Sequence, residues 1–341
     1  MVRPLTSTLL KIAKASVRTV YLDQNAWITF LKEREGVTQL KEVKESLDGA
    51  RRAVDDGRAV FPLSLVHLLE TGKRRDKASR DKLAELMFEL SKGWCVIPYT
   101  KMMTREISNL ACQWAGLPIS KFQAFGLGIN HIFGQGKGEV VFDAEAVKSL
   151  TSERAAKLSE IKADLDKKVN DPSVVLWALK NQNMANEAKR MAKYDMQYVS
   201  ILEQTRQIEF LTTDPELRRK RSMTFYFGQG ILPRLAQFCL DAGLSRPQVE
   251  KKVEESDIEE ILKELPSAYT TWLLNFRRDV QKERPVKQND MRDIFALSIA
   301  IPYCNIVVTE NEWTSIAKQG KIDTMFHTEI FNSVANLTAV L

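Results

Sequence analysis

The apolar and polar positions in the outer parts of the chain form two kinds of segment. Three apolar runs are too short for helices and end in polar residues, which predicts strands at 18–23, 94–99 and 305–309. The stretches between them repeat apolar positions at helical spacing. The predicted helices lie at 26–33, 39–56, 64–72, 77–92, 104–115 and 290–301, and a final strand is predicted near 329–340. Strands that alternate with helices favour a parallel sheet covered by helices on both faces.

The middle of the chain has a different pattern. From about 143 to about 281 nearly every stretch combines helical periodicity with strong charge. The glycine-rich stretch 126–138 lacks the spacing of a phosphate-binding loop and is predicted to be a connection. The sequence therefore predicts an α/β core formed by 1–116 and 286–341, interrupted by an all-helical insertion at 117–285.

Acidic side chains lie at the ends of predicted core elements. Asp23 ends the first strand, Glu70 lies late in one helix and Asp293 lies early in another. A polar cluster at 309–312 lies at the end of the predicted strand 305–309. Active sites of open parallel sheets form at the carboxyl ends of strands. Because buried charges need partners, this set of carboxylates indicates a divalent cation.

Mg²⁺ or Mn²⁺ fits this donor set, because hard cations prefer carboxylate oxygens. Phosphodiester hydrolysis needs an activated water and stabilisation of charge on the phosphoryl oxygens, and one or two such ions supply both. The predicted ligands are Asp23, Glu70 and Asp293, completed by Glu310, Asn311 or Glu312. A plainer interpretation of Asp23 is an N-cap of the helix that follows it, which is a common role of aspartate.

The ordered set resembles the PIN-domain nuclease superfamily. Short members have an aspartate after the first strand, a serine and a glutamate on a helix, an aspartate on a later helix, and a threonine with an acidic or amide residue after the next strand. The matching residues are, in that order, Asp23 with Asn25, Ser64 with Glu70, Asp293 with Ala296 and Ala300, and Thr309 with Asn311. The match covers roughly 18–116 and 286–341 and leaves out the middle of the chain.

The resemblance implies a PIN-like α/β fold and a metal-dependent endonuclease, acting most readily on RNA, with a bacterial toxin or defence role by analogy. It implies catalytic and metal-binding roles for the three principal acids, and supporting roles for Asn25, Ser64, Thr309 and Asp290. Asp290 is expected to cap the helix that carries Asp293. Two alternatives stay open: a structure-specific DNA nuclease of the same superfamily, and an inactive PIN fold that serves as an RNA-binding or assembly scaffold.

Composition adds broad constraints. The chain is 44% hydrophobic and 28% charged, which is typical of globular proteins, and its net charge of +6 mildly favours a polyanionic partner. The four cysteines form no CxxC pair, which argues against a zinc site and favours a reducing cytoplasm. No apolar run approaches the ~20 residues that span a bilayer, so no membrane partner is expected.

Two basic segments are candidates for contact with nucleic acid. One is the run Arg218, Arg219, Lys220 and Arg221. Aromatic residues at 225–227 follow it, and cations with aromatics suit single-stranded nucleic acid. The expected partner is single-stranded or structured RNA. The competing interpretation is a charged helix face beside a core aromatic cluster. The second candidate is Lys287, which precedes Asp293 and is placed to guide a backbone toward the cation. A homodimer or an inhibitory protein partner is a further expectation.

Two other polar residues lie near the motifs in sequence. Glu106 is expected on a solvated helix face rather than at the site. His67 lies one helical turn before Glu70, on nearly the same face, and is expected to support the ligands without binding the cation itself.

Overall fold

The computed structural model of the chain describes residues 17–135, 151–181, 199–200, 203, 206, 214–281, 284–287 and 289–341. Within these residues a four-stranded parallel sheet is flanked by helices. The predicted mixed α/β class, with a parallel sheet between helices, is therefore confirmed.

The parallel sheet has the strand order β2–β1–β5–β6. The described strands are, in chain order, β1 (Arg18–Leu22), β2 (Ala59–Val60), β3 (Trp94–Val96), β4 (Phe125–Leu127), β5 (Ile306–Val308) and β6 (Glu329–Phe331). Leu22 of β1 pairs with Val308 of β5, and all the pairings of this sheet are parallel. From β1 the chain continues to β2 on one side, and from β5 it continues to β6 on the other. The order thus reverses between β1 and β5, which is where such sheets bind ligands.

Helices connect and cover the strands. The described α-helices are α1 (Gln24–Arg34), α2 (Lys41–Asp55), α3 (Leu65–Gly72), α4 (Lys77–Ser91), α5 (Tyr99–Trp114), α6 (Ile129–Ile132), α7 (Ser152–Val169), α8 (Ser173–Lys180), α9 (Pro215–Tyr226), α10 (Leu232–Asp241), α11 (Arg246–Glu254), α12 (Ile258–Lys263), α13 (Pro266–Val280), α14 (Asp290–Tyr303), α15 (Asn311–Gln319) and α16 (Ile322–Phe326). A π-helical turn (Phe227–Ile231) joins α9 to α10. In the described ranges, no helix combines the length and the apolar character needed to cross a membrane.

The two faces of the parallel sheet contribute to two apolar clusters, because successive strand residues point to opposite faces. Tyr21 and Val307 are buried with side chains of α5, α13, α14 and α15. Val20, Leu22 and Val308 are buried with side chains of α1, α2, α4 and α8. Helices therefore cover both faces, as the sequence predicted.

A second, small sheet lies outside the parallel one. β3 was predicted to belong to the parallel sheet, but it pairs antiparallel with β4, with Cys95 opposite Gly126. A single parallel bridge, from Cys95 to Leu63, links it to the segment that follows β2. The glycine-rich stretch 126–138 was predicted to be a connection, but its first part forms the end of β4 and helix α6. A Cβ on Gly126 would lie 2.5 Å from Nδ1 of His131, so the missing side chain lets the imidazole pack against this strand.

The middle of the chain shares a core with the sheet. Segment 117–285 was predicted to be all helical, but its described part contains β4. Its helix α13 packs against α14 and α5. Glu106 of α5, expected on a solvated face, is buried and accepts hydrogen bonds from the Ser267 N–H (3.0 Å) and the Tyr303 hydroxyl (2.5 Å). The boundaries of the proposed insertion stay a prediction.

The last strand is shorter than predicted. β6 ends at Phe331, and a 3₁₀ helix (Val334–Ala339) follows it. Ser333 turns the chain, because its hydroxyl accepts a hydrogen bond from the Ala335 N–H at 3.2 Å. The predicted strand near 329–340 is thus correct for its first three residues only.

Candidate active site

A cavity of about 330 Å³ lies at the carboxyl ends of β1 and β5. The predicted site residues that line it are Asp23, Asn25, Glu70, Asp293, Thr309 and Glu310. The structure therefore brings the three principal predicted acids to one cavity, although they are distant in sequence. This cavity lies at the position where the strand order reverses.

Asp23 holds the first position of the site directly after β1. Its backbone N–H donates to the Val308 carbonyl at 2.9 Å, and its carboxylate accepts from the Ala26 N–H at 2.9 Å. Asp23 is therefore both the N-cap of α1 and a wall of the cavity. Burial raises the pKa of its carboxyl to about 6, against the hydrogen bonds from Ala26 and Thr309, and the charge of Glu310 raises it further.

Asp293 lies in the first turn of α14 and faces the same cavity. The indole N–H of Trp313 donates to its Oδ2 at 3.3 Å. Burial raises the pKa of this carboxyl to about 7, and the negative charges of Glu310, Asp23 and Asp290 act in the same direction. Such carboxyls hold their protons at mildly acid pH, and a cation in the cavity would favour their ionised forms.

Glu70, in the last turn of α3, has a different electrostatic environment. Its Oε1 accepts from Nη1 of Arg292 at 3.0 Å and from Nζ of Lys73 at 2.5 Å. Two cations therefore already compensate this carboxylate, in contrast to Asp23 and Asp293.

The fourth acidic position is better filled by Glu310 than by Asn311. Glu310 lines the cavity, and the Asn25 side-chain amide donates a hydrogen bond to its carboxylate. The Asn311 side chain instead accepts a hydrogen bond from the Asn332 amide at 2.5 Å and is not part of the cavity wall. Glu312 forms an ion pair with Arg284.

Asp290 does not cap α14, so that prediction was wrong. Asn289 occupies the N-cap position. The buried Asp290 carboxylate instead accepts two hydrogen bonds from Arg284, at 2.7 and 2.9 Å, and one from the Lys287 N–H at 2.8 Å. Pairing with a guanidinium compensates the buried charge and leaves Asp290 outside the wall of the main cavity.

A neighbouring cavity of about 210 Å³ shares Asp293 and Glu310 with the main one. The exposed Lys287 lines it, with its Nζ 3.8 Å from Glu312. Lys287 is thus close to the site, and its role in guiding a charged backbone stays a prediction.

Ser64 and His67 support the site from within the fold. Ser64 is the N-cap of α3, and its backbone N–H donates to Nδ1 of His67 at 3.0 Å. Nε2 of His67 therefore carries the proton and donates to the Leu22 carbonyl at 2.8 Å. Burial lowers the pKa of His67 to about 4, so the ring is neutral. This imidazole joins the end of β1, next to Asp23, to the start of the helix that carries Glu70.

Two arginines that no sequence motif marks also line the main cavity. Arg292 is buried and contacts Glu70, and Arg74 is half-buried. The sequence feature that could have indicated Arg292 was its position directly before Asp293. That signal is weak, because neighbouring helix positions point in different directions.

The cationic run on α9 is divided between the interior and the surface. Arg218 is buried. Arg219 donates to Glu259 at 2.7 Å and lies over the Trp272 ring, with its Cζ 5.3 Å from the ring centroid. Lys220 and Arg221 are exposed. None of these four side chains lines the main cavity.

The types of side chain at the site suit a metal ion, but their present positions do not form a ready metal site. Among the described residues, no group of three or more His, Cys, Asp or Glu side chains is already arranged to hold an ion. The chemistry of the set nevertheless fits a hard cation, since Asp23, Asp293 and Glu310 offer carboxylate oxygens around one cavity. No family model, no curated protein and no solved structure matches this chain.

Proposed function

We propose that this protein is a PIN-like, metal-dependent endonuclease that hydrolyses phosphodiester bonds, most readily in RNA. The observation that carries the proposal is the convergence of Asp23, Asp293 and Glu310 on one cavity at the carboxyl ends of β1 and β5. The preference for RNA, and a role as a bacterial toxin or defence effector, rest on the resemblance to the PIN superfamily.

In the proposed reaction, Asp23, Asp293 and Glu310 supply the oxygen ligands for Mg²⁺ or Mn²⁺. A bound ion of this kind activates water and stabilises charge on the phosphoryl oxygens. Asn25 orients Glu310 through its side-chain amide, and Thr309 hydrogen-bonds Asp23. The raised pKa values of Asp23 and Asp293 mean that ion binding is coupled to release of their protons.

The first prediction concerns Asp23. Replacing it in Asp23→Asn should lower cleavage of labelled single-stranded RNA by at least about 100-fold, because a charged ligand is lost. The variant should stay folded, since asparagine also caps helices well. The measurement is cleavage in Mn²⁺ and in excess EDTA, with circular dichroism to check the fold.

The matched control is Asp55→Asn, which removes an exposed aspartate at the end of α2 and should leave cleavage unchanged. Cleavage of RNA in excess EDTA would contradict the metal-dependent mechanism. Cleavage of DNA alone would instead favour a DNA nuclease, and nucleic-acid binding without any cleavage would favour the scaffold alternative.

A further inference from the structure

The cavity of the candidate site contains cations as well as acids. The Arg292 and Arg74 side chains line it together with Asp23 and Asp293. The Arg292 side chain is only 5% exposed, which is unusual for a charged group. Its guanidinium is therefore held inside the site rather than at its rim.

Glu70 fixes this guanidinium. Its Oε1 lies 3.0 Å from Nη1 of Arg292, and Lys73 contacts the same oxygen at 2.5 Å. If Glu70 instead bound a metal through this oxygen, Arg292 would lose a partner within a buried site, which is strongly unfavourable. Asp23 and Asp293 have the opposite character, because burial and neighbouring negative charges act on both.

Binding of a phosphodiester in this cavity requires a cationic side chain in the cavity wall. Four carboxylates line the cavity, and they repel a negatively charged backbone. An arginine fork matches two phosphate oxygens at once and stabilises the charge that develops on them. Arg74 is held nearby, since its Nη1 donates to the Ser79 hydroxyl at 2.9 Å.

We propose that Arg292 binds the scissile phosphate, that Glu70 positions Arg292 rather than binding the metal, and that Asp23, Asp293 and Glu310 hold the ion. This division of roles rests on the nuclease function proposed above. It departs from the expectation that Glu70 is a metal ligand.

The role of Glu70 is tested by Mn²⁺ binding, measured by calorimetry on the full chain without nucleic acid. Changes to groups that support metal ligands typically weaken metal binding by about 10–100-fold. Asp293→Asn removes a ligand itself and should therefore weaken Mn²⁺ binding by more than about 100-fold. Glu70→Gln should weaken it by less than about tenfold, because glutamine keeps an acceptor for Arg292 and no ligand is lost. A loss of about tenfold or more in Glu70→Gln overturns the proposal.

The role of Arg292 is tested by kinetics at saturating Mn²⁺. Arg292→Met should lower kcat/KM for RNA cleavage by about 100-fold, as for removal of one donor that stabilises charge in a transition state. Its Mn²⁺ affinity should stay within about tenfold of the wild-type value. Arg75→Met, which removes an exposed arginine outside the cavity wall, is the charge-matched control and should keep full activity.

Arg292→Lys keeps the charge and the contact to Glu70, so it serves if the methionine variant does not fold. It should lose about tenfold in kcat/KM, since a lysine lacks the fork. Wild-type kcat/KM in either folded Arg292 variant overturns the proposal. Failure of the wild-type protein to bind Mn²⁺ or to cleave overturns the nuclease function itself, and the variants are not needed to see it.

Discussion

The fold changes the acid–base chemistry of two carboxyl groups in the cavity, those of Asp23 and Asp293. Their pKa values rise to about 6 and about 7, first because they are buried and also because negative charges lie close by. Each therefore destabilises the folded protein when ionised, unless a cation compensates it. Such uncompensated charge is typical of a functional site rather than of a structural ion pair.

The pH dependence of stability should reveal these two groups in the metal-free protein. Their folded pKa values lie above the ordinary value of 3.8, so the folded state binds more protons than the unfolded state between about pH 4 and 7. The free energy of unfolding should therefore fall as the pH rises through this window. At about 1.4 kcal/mol per pKa unit, the rise from 3.8 to about 7 corresponds to about 4 kcal/mol, and Asp293→Asn should gain up to this amount over the wild type at pH 8. Urea unfolding at pH 4, 6 and 8 measures this.

Mn²⁺ provides the control for this experiment. An ion that binds the ionised carboxylates stabilises the folded state increasingly as the pH rises, so its presence should reverse the trend in the wild type. Asp293→Asn should show a smaller response to Mn²⁺. If the wild type and Asp293→Asn have the same stability profile in EDTA, Asp293 does not titrate as described.

At this scale the sequence identified most of the acids but not their partners. Asp23 and Asp293 were recognisable because each sits at a fixed place relative to a strand. The sequence could not decide between Glu310 and Asn311. Helix α15 begins between these two residues, and its first turn determines which side chain faces the cavity. Arg292 was missed because its burial and its pairing with Glu70 depend on tertiary contacts, which no local sequence pattern shows.

Helix α9 shows how one element divides a run of like residues. Arg218 is buried and Arg219 pairs with Glu259, whereas Lys220 and Arg221 face solvent. Arg218 and Arg219 thus fit one interpretation drawn from the sequence, a charged face beside an aromatic core. A nucleic-acid surface stays a prediction for the exposed Lys220 and Arg221.

We predict that the double substitution Lys220→Ala with Arg221→Ala weakens binding of single-stranded RNA. Each lost phosphate contact should reduce the slope of log K against log salt by about 0.7. Fluorescence anisotropy from low to moderate salt measures this slope. Lys251→Ala, which removes an exposed lysine of α11, is the control for a surface charge elsewhere. Arg219→Ala should instead lower stability, because it breaks the contacts with Glu259 and Trp272. An unchanged slope in the double variant would assign Lys220 and Arg221 to a solvated face.

Elements with local signals were predicted well. The start of α3 at Ser64 was correct because its capping interactions are encoded within one turn. β1 and β5 were correct because buried central strands are short apolar runs. β2 has only two residues and leaves no pattern to detect. The pairing of β3 with β4 could not be predicted, since it is decided by tertiary packing around Gly126.

For the whole molecule, the central question is whether the helices of the middle segment fold with the sheet. Tyr21 and Val307 of the sheet belong to the same apolar cluster as Trp272 and Leu274 of α13. Glu106 adds a polar link, because Ser267 at the start of α13 and Tyr303 at the end of α14 both donate to it. These contacts make independent unfolding of α13 unfavourable.

The last prediction tests this coupling through Glu106. Burial raises the pKa of its carboxyl to about 7, and its oxygens accept the Ser267 N–H and hydroxyl as well as the Tyr303 hydroxyl. Glu106→Leu leaves these donors unsatisfied and should lower the free energy of unfolding by about 1–3 kcal/mol or more. Glu106→Gln keeps an acceptor oxygen and should cost less at pH 5, where the native carboxyl is protonated.

Hydrogen exchange followed by mass spectrometry then shows which elements are coupled. If the sheet and α13 form one cooperative unit, Glu106→Leu should reduce protection in β1, β5, α13 and α14 by the same free energy. A loss of protection confined to α13, with β1 and β5 unchanged, would mean that the helical segment unfolds on its own. The prediction is one cooperative unit, because the cluster that buries Tyr21 and Val307 is completed by α13 and cannot persist without it.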